Sequence, residues 1–144
     1  MDGHVIVCGF GRVGYYVLRE LITRGERVLV IERDADHRFL DQARALGART
    51  FVGDASLPRV LLDAGVQRAC GLFSLIDDDL KNLEIGMNAR SIRNDLRLIL
   101  RIFDAEIAAQ MHERLDIHFA FSTSAIAAQE FVEMLEAGSA TTSQ

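Results

Sequence analysis

Long apolar runs are missing from this 144-residue chain: nothing approaches the roughly 18 to 20 consecutive apolar residues a helix needs to cross a bilayer, so no direct membrane insertion is expected. Cysteine is scarce as well. Cys8 and Cys70 both fall in apolar runs, which excludes a disulfide framework and reads as two small buried hydrophobes in a reducing, cytoplasmic compartment. Basic charge is in deficit, with a net charge of −5, whereas a nucleic-acid partner would want a basic face. Lysine occurs once, at Lys81, so Tyr15 and Tyr16 have no lysine four residues on and a Tyr-x-x-x-Lys pair is excluded. No His/Asp or Cys/His arrangement is placed to handle a substrate proton, and His4, His112 and His118 receive no role. The expected list of catalytic residues and of metal ligands is therefore empty. The opening Met1-Asp2-Gly3-His4 is acidic and leads straight into a strand, which is not how a signal peptide begins.

What the chain does have is a regular alternation of two periodicities. His4–Cys8 is a short apolar run stopping at glycine, as a strand buried on both faces should. Val13, Val17 and Leu21 then recur every four residues, marking one face of a helix that ends at Gly25. Arg27–Glu32 is a second strand, Asp36–Leu46 a helix stopped by Gly47, and Arg49–Val52 a third strand. Ser56 is expected to cap a short helix with the lone proline, Pro58, in its first turn. The second half repeats the scheme: strand Gly71–Ile76, helix Asp78–Ile92, strand Leu96–Ile102, helix Asp104–Arg114, strand Ile117–Phe121 and helix Ser122–Glu136. Alternation of this kind implies parallel pairing through right-handed crossovers. The expected fold is α/β: a doubly wound, three-layer parallel sheet of the Rossmann type, six strands in the order 3-2-1-4-5-6, its ligand crevice between strands 1 and 4. Residues 1–137 form that one domain, and 138–144, small and polar, form a tail or linker.

The first strand-to-helix turn carries Gly9-Phe10-Gly11-Arg12-Val13-Gly14, a G-x-G-x-x-G fingerprint with a strand before it and a helix after it. Gly9 makes the turn, Gly11 leaves room for a pyrophosphate, and Gly14 lets helix and sheet pack closely. The helix start then offers N–H groups and a positive dipole end to phosphate. Glu32, 18 residues past Gly14 at the tip of the second strand, is placed to accept from both hydroxyls of an adenosine ribose and to repel a 2′-phosphate. That favours NAD over NADP, with Arg33 as a residue that could offset part of the repulsion. AMP, ADP and ATP would satisfy the same acid. Arg12 either pairs with a phosphate or is merely exposed. Asp54 and Ala55, after the third strand, either approach the adenine or organise a turn. Asp77-Asp78-Asp79, with Asn82 one turn on, reads as a helix cap, a divalent-cation site or a contact with the second half of a dinucleotide. Arg101, ending the fifth strand at the same rim, could balance that acidic group.

Val5 to Gly14, then Val30-Ile31-Glu32-Arg33-Asp34, Gly53-Asp54-Ala55-Ser56 and Asp77-Asp78-Asp79-Leu80-Lys81-Asn82, in that order, resemble the N-terminal domain of the regulator-of-potassium-conductance family, over roughly residues 4 to 135. The resemblance implies a non-catalytic domain that binds NAD(H) or an adenine nucleotide through Gly9, Gly11, Gly14, Glu32 and Asp54, with the Asp77–Asn82 segment bordering the ligand. It also implies a homodimer or larger ring gating a membrane channel or transporter subunit, fused or separate, from its cytoplasmic face. The final helix, with Ile126, Phe131 and Leu135, would serve that pairing or pack on its own sheet. The sequence carries neither a pore nor the smaller subdomain that often completes such regulators, so a stand-alone subunit and a fragment are both open readings. Two alternatives stand beside it: a small NAD-dependent oxidoreductase or the cofactor half of one, and a domain keeping the fold only for dimerisation.

Overall fold

Strand β1, Val5–Cys8, is apolar at every position, and none of it is exposed. Such a segment can be satisfied only between two paired strands and two covering layers. Those surroundings are present in a computed structural model, which describes residues 2–34, 37–104, 106–107, 109–110, 118–120, 132–133 and 135–136. β1 pairs in parallel with β2 (Val28–Glu32) on one side and β4 (Gly71–Ser74) on the other. β3 (Arg49–Val52) extends the sheet beyond β2, and β5 (Arg97–Arg101) and β6 (His118–Ala120) extend it beyond β4. The order is β3-β2-β1-β4-β5-β6.

Because successive side chains in a strand point to opposite faces, β1 divides its residues between two cores. Val5 and Val7 join the side of helix α1 (Arg12–Thr23), whose Val13, Val17, Leu18 and Leu21 are buried, and of α2 (His37–Ala45) through Ala43. Ile6 and Cys8 join the opposite side, with α3 (Pro58–Asp63) through Val60 and Leu61 and α4 (Asp79–Ile92) through Leu83, Ile85 and Ala89. Helix, sheet and helix make three layers.

The edges differ from expectation in small, explicable ways. β4 ends at Ser74 instead of Ile76, because the Ile76 N–H donates to the Asn82 side chain instead of to a neighbouring strand (3.0 Å). β5 is one residue shorter at each end, and His118–Ala120 are the described residues of β6, the ends of the expected strand lying outside the described residues. Ser56 does not cap α3; Leu57 holds the cap position without any side-chain bond. Both the Ser56 N–H and its hydroxyl donate to Asp54 Oδ1, at 3.0 and 2.6 Å, so the carboxylate two residues upstream has drawn serine into its own turn. Of the two last expected helices, residues 106–107, 109–110, 132–133 and 135–136 are helical. Val132 and Leu135 are buried in the α1-side core, and Arg24 at the end of α1 bonds Glu136 at 2.8 Å, so this segment packs on its own sheet. Ile126, Phe131 and the 138–144 tail lie outside the described residues. Among the described residues no helix is long and apolar enough to cross a membrane.

Candidate functional site

The carboxyl ends of β1, β2 and β4 meet where the strand order reverses, and the loops leaving them part around a cleft, as expected at a topological switch point. Its larger portion, about 480 Å³, is lined by Gly9, Phe10, Gly11, Arg12 and Val13 from the first turn, Glu32 and Asp34 after β2, Phe39 on α2, Leu75, Ile76 and Asp77 after β4, and Arg101 at the end of β5. A smaller lobe of about 170 Å³ shares Gly9, Glu32, Asp34 and Ile76, and adds Arg33, Asp54, Ala55 and Lys81. The larger portion falls within the range typical of small-molecule sites.

The turn is built as tightly as its glycines permit. Gly9 has φ +87°, and a Cβ there would come within 2.8 Å of the Ile76 side chain. A Cβ on Gly14 would lie 2.6 Å from the Gly9 carbonyl oxygen, so Gly14 shapes the loop from behind without lining the cleft. At Gly11 the opposite holds: an added Cβ meets nothing within 4 Å. Open space at the start of α1, beside its first N–H groups, is what a phosphate would need. Arg12 is the exposed first residue of that helix.

Glu32 is held in place by the glycine loop. Its Oε2 accepts the Phe10 backbone N–H at 2.7 Å, joining the tip of β2 to the glycine loop. In the smaller lobe, the two bonds from Ser56, aided by the charges of Lys81 and Arg33, hold the Asp54 carboxyl below its ordinary range. Asp54 thus does organise a turn, while still lining the smaller lobe.

The acidic run divides its work. Asp78 caps α4, accepting the N–H groups of Leu80 (3.0 Å) and Lys81 (3.2 Å). Asp79 accepts the N–H groups of Phe103 (2.9 Å) and Asp104 (3.0 Å), clasping the loop after β5. Only Asp77 lines the cleft. Among the described residues no group of three His, Cys, Asp or Glu is placed to hold a metal ion. Arg101 forms no ion pair with these acids; its guanidinium lies 4.5 Å from the centre of the Phe103 ring.

Asn82 is fully buried and takes no part in the cleft lining. Its Oδ1 accepts from the Ser74 hydroxyl (2.8 Å) and Ile76 N–H (3.0 Å), and its Nδ2 donates to the carbonyls of Ile76 and Arg101, both at 2.7 Å. It fastens the ends of β4 and β5 together beneath the site. Phe39, Asp34, Leu75, Ile76 and Lys81 were absent from the expected site. Lys81 and Asp34 sat inside motifs already noticed. Phe39 carried no signal, since an aromatic on a helix face reads as core.

Residues 5–123 match the TrkA-N domain family. The glutathione-regulated potassium-efflux system protein KefC of Enterobacter sp. (strain 638) is 34% identical over 102 residues, which is 71% of this chain and 16% of that protein. KefC of Salmonella newport (strain SL254) is 35% identical over the same shares. The chain therefore spans about 16% of the length of these curated relatives. The TrkA-N domain of inner membrane protein ybaL from Escherichia coli superposes with a TM-score of 0.76 at 25% identity, covering 94% of this chain and 98% of that one. Two more distant structures support the fold alone: the GsuK channel bound to NAD (TM-score 0.71, 16% identity, 83% and 21% coverage) and the Shewanella denitrificans Kef CTD in its AMP-bound form (0.68, 21%, 94% and 98%). With a family match running from β1 through β6, the chain belongs to the TrkA-N domain family.

Proposed function

We propose that this chain is a non-catalytic regulatory domain that binds NAD(H) or an adenine nucleotide (AMP, ADP or ATP). As a homodimer or larger ring, it would control potassium or cation/proton transport through a membrane channel or transporter from the cytoplasmic face. The observation that carries this reading is the cleft at the carboxyl ends of β1 and β4, with open space at Gly11 on one side and a pre-positioned Glu32 carboxylate on the other. In that reading Gly9, Phe10, Gly11, Arg12, Val13 and Gly14 form the phosphate loop, and Glu32 reads the ribose. Arg33, Asp54 and Ala55 border the adenine, Asp77 borders the far half, and Asn82 fixes the wall behind it. The KefC relatives are named as potassium-efflux proteins, and the more distant structures carry NAD, ADP or AMP.

Thermal unfolding with NAD⁺, NADH, NADPH, ATP, ADP and AMP tests this reading. A ligand at 100 times its Kd adds about 2.7 kcal/mol to the folded state, roughly 5 to 11 °C for a domain of this size. The expected result is a shift with at least one adenine nucleotide, abolished by Gly11→Val, at a position where an added Cβ meets nothing within 4 Å. No shift with any nucleotide overturns the proposal, and so does turnover of NADH with a carbonyl substrate.

A further inference from the structure

The cleft holds two arginines on opposite walls, Arg12 at the start of α1 and Arg101 at the end of β5. Several arginines are accounted for by what they bind. Arg24 pairs with Glu20 and Glu136, and Arg93 binds Asp95 and the carbonyls of Gln67 and Ala69. Arg101 is different. Its backbone is fixed, since Asn82 donates to its carbonyl, but its side chain has no such anchor. Nε is sealed from solvent without an acceptor among the described residues, and no described carboxylate lies within ion-pair distance of the guanidinium. Even Asp77, on the same wall of the cavity, does not neutralise it. The guanidinium rests on Phe103, a ring that is itself 48% exposed. A buried donor left unmade is unfavourable, and a cation held only by a wet aromatic face is weakly held. Such a side chain is poised to move onto an anion.

We propose that Arg101 is a second anion-binding residue of the cleft, one that recognises the distal phosphate of a phosphoanhydride and so sets ADP and dinucleotides apart from AMP. This rests on the nucleotide reading above. The first phosphate belongs at Gly11 and the start of α1, because the open space and the helix N–H groups are there. β5 is two strands away from β1, about 10 Å at the usual spacing, so the long Arg101 side chain reaches back to cover what lies one phosphate further on. A monophosphate ends short of it. Arginine suits this task because its planar fork matches two phosphate oxygens at once.

Calorimetric titration of the chain with AMP, ADP and NAD⁺, in wild type, Arg101→Gln and Arg101→Lys, decides the matter. The expected result is a loss of about tenfold or more in ADP affinity for Arg101→Gln, with AMP affinity changed less than about twofold. Arg101→Lys should keep part of the ADP preference, and the ligand-free unfolding midpoint should stay put in at least one of the two variants. A comparable loss with NAD⁺ is expected, and loss with ADP alone overturns the dinucleotide half of the proposal. Equal losses for AMP and ADP, or none, overturn the role of Arg101 while leaving the nucleotide site standing. Wild type that binds none of the three overturns the site reading, and this inference with it.

Discussion

Removing the Asn82 side chain should be among the most damaging single changes in the domain. Asn82→Ala deletes four hydrogen bonds, to the Ser74 hydroxyl, both backbone groups of Ile76 and the Arg101 carbonyl, from a residue with no exposed surface. Each buried group left without a partner costs about 1–3 kcal/mol. The Ser74 hydroxyl can turn elsewhere and Ile76 is partly solvated, so the four do not add in full. The expected loss is about 3–4 kcal/mol, a large share of the stability of a typical domain. It should appear in urea titrations as a lower midpoint at unchanged slope, and in heating as a drop of roughly 10–15 °C. Asn82→Asp is an informative companion. A carboxylate can still accept from Ser74 and the Ile76 N–H, yet it cannot donate to the two carbonyls, and it places a charge where no water reaches. It should do no better than alanine at neutral pH. A loss below about 1 kcal/mol for Asn82→Ala would refute the idea that this amide ties β4 to β5.

Two glycine substitutions should separate shape from occupancy. Gly14→Ala, whose Cβ would press on the Gly9 carbonyl, should lower stability by about 1–3 kcal/mol in chemical unfolding, whereas Gly11→Ala should stay within about 1 kcal/mol of wild type and weaken nucleotide binding. Burial, only partly opposed by the bond to the Ala64 carbonyl, holds His4 below its ordinary 6.5. The unfolded chain therefore takes up this proton first, so the stability from a neutral His4 is complete above about pH 6.5 and is lost as pH falls through the lower folded value. His4→Gln should flatten that part of a pH–stability curve; an unchanged slope would remove His4 from the account. Burial, with the Glu32 charge adding to it, pushes the Cys8 thiol far above the ordinary range. In a Cys70→Ala background, thiol labelling of Cys8 should then proceed only at the rate of unfolding. Rapid labelling of the native protein would contradict this.

The central strands were legible because they are buried on both faces. Val5–Cys8 and Val28–Ile31 are unbroken apolar runs, and no surface helix of this length reads that way. The glycine loop was legible for a different reason: Gly9 and Gly14 meet steric demands that other residues fail, and Gly11 leaves open space at the start of α1. Side-chain hydrogen bonding was much harder to foresee. Ser56 and Asn82 can donate or accept in several directions, and the choice between capping, lining and fastening depends on residues such as Asp54 and Arg101 that only folding brings near. Asp77, Asp78 and Asp79 show the same ambiguity in its sharpest form. Three identical neighbours face a cleft, a helix start and a loop, because successive positions at a helix entrance point in different directions.

The bond between Phe10 N–H and Glu32 has an evolutionary and engineering corollary. Cofactor preference in dinucleotide-binding folds is commonly pictured as adjustable by exchanging one acid, since the carboxylate alone rejects a 2′-phosphate. Here the same carboxylate braces the loop, so any replacement chosen for a new ligand inherits a structural debt at Phe10. A neutral side chain at position 32 must either supply an acceptor to that amide or leave it stranded in a residue only 2% exposed. On the proposed reading, a change of nucleotide preference at position 32 must therefore also satisfy the Phe10 N–H, through the new side chain itself or through a second substitution.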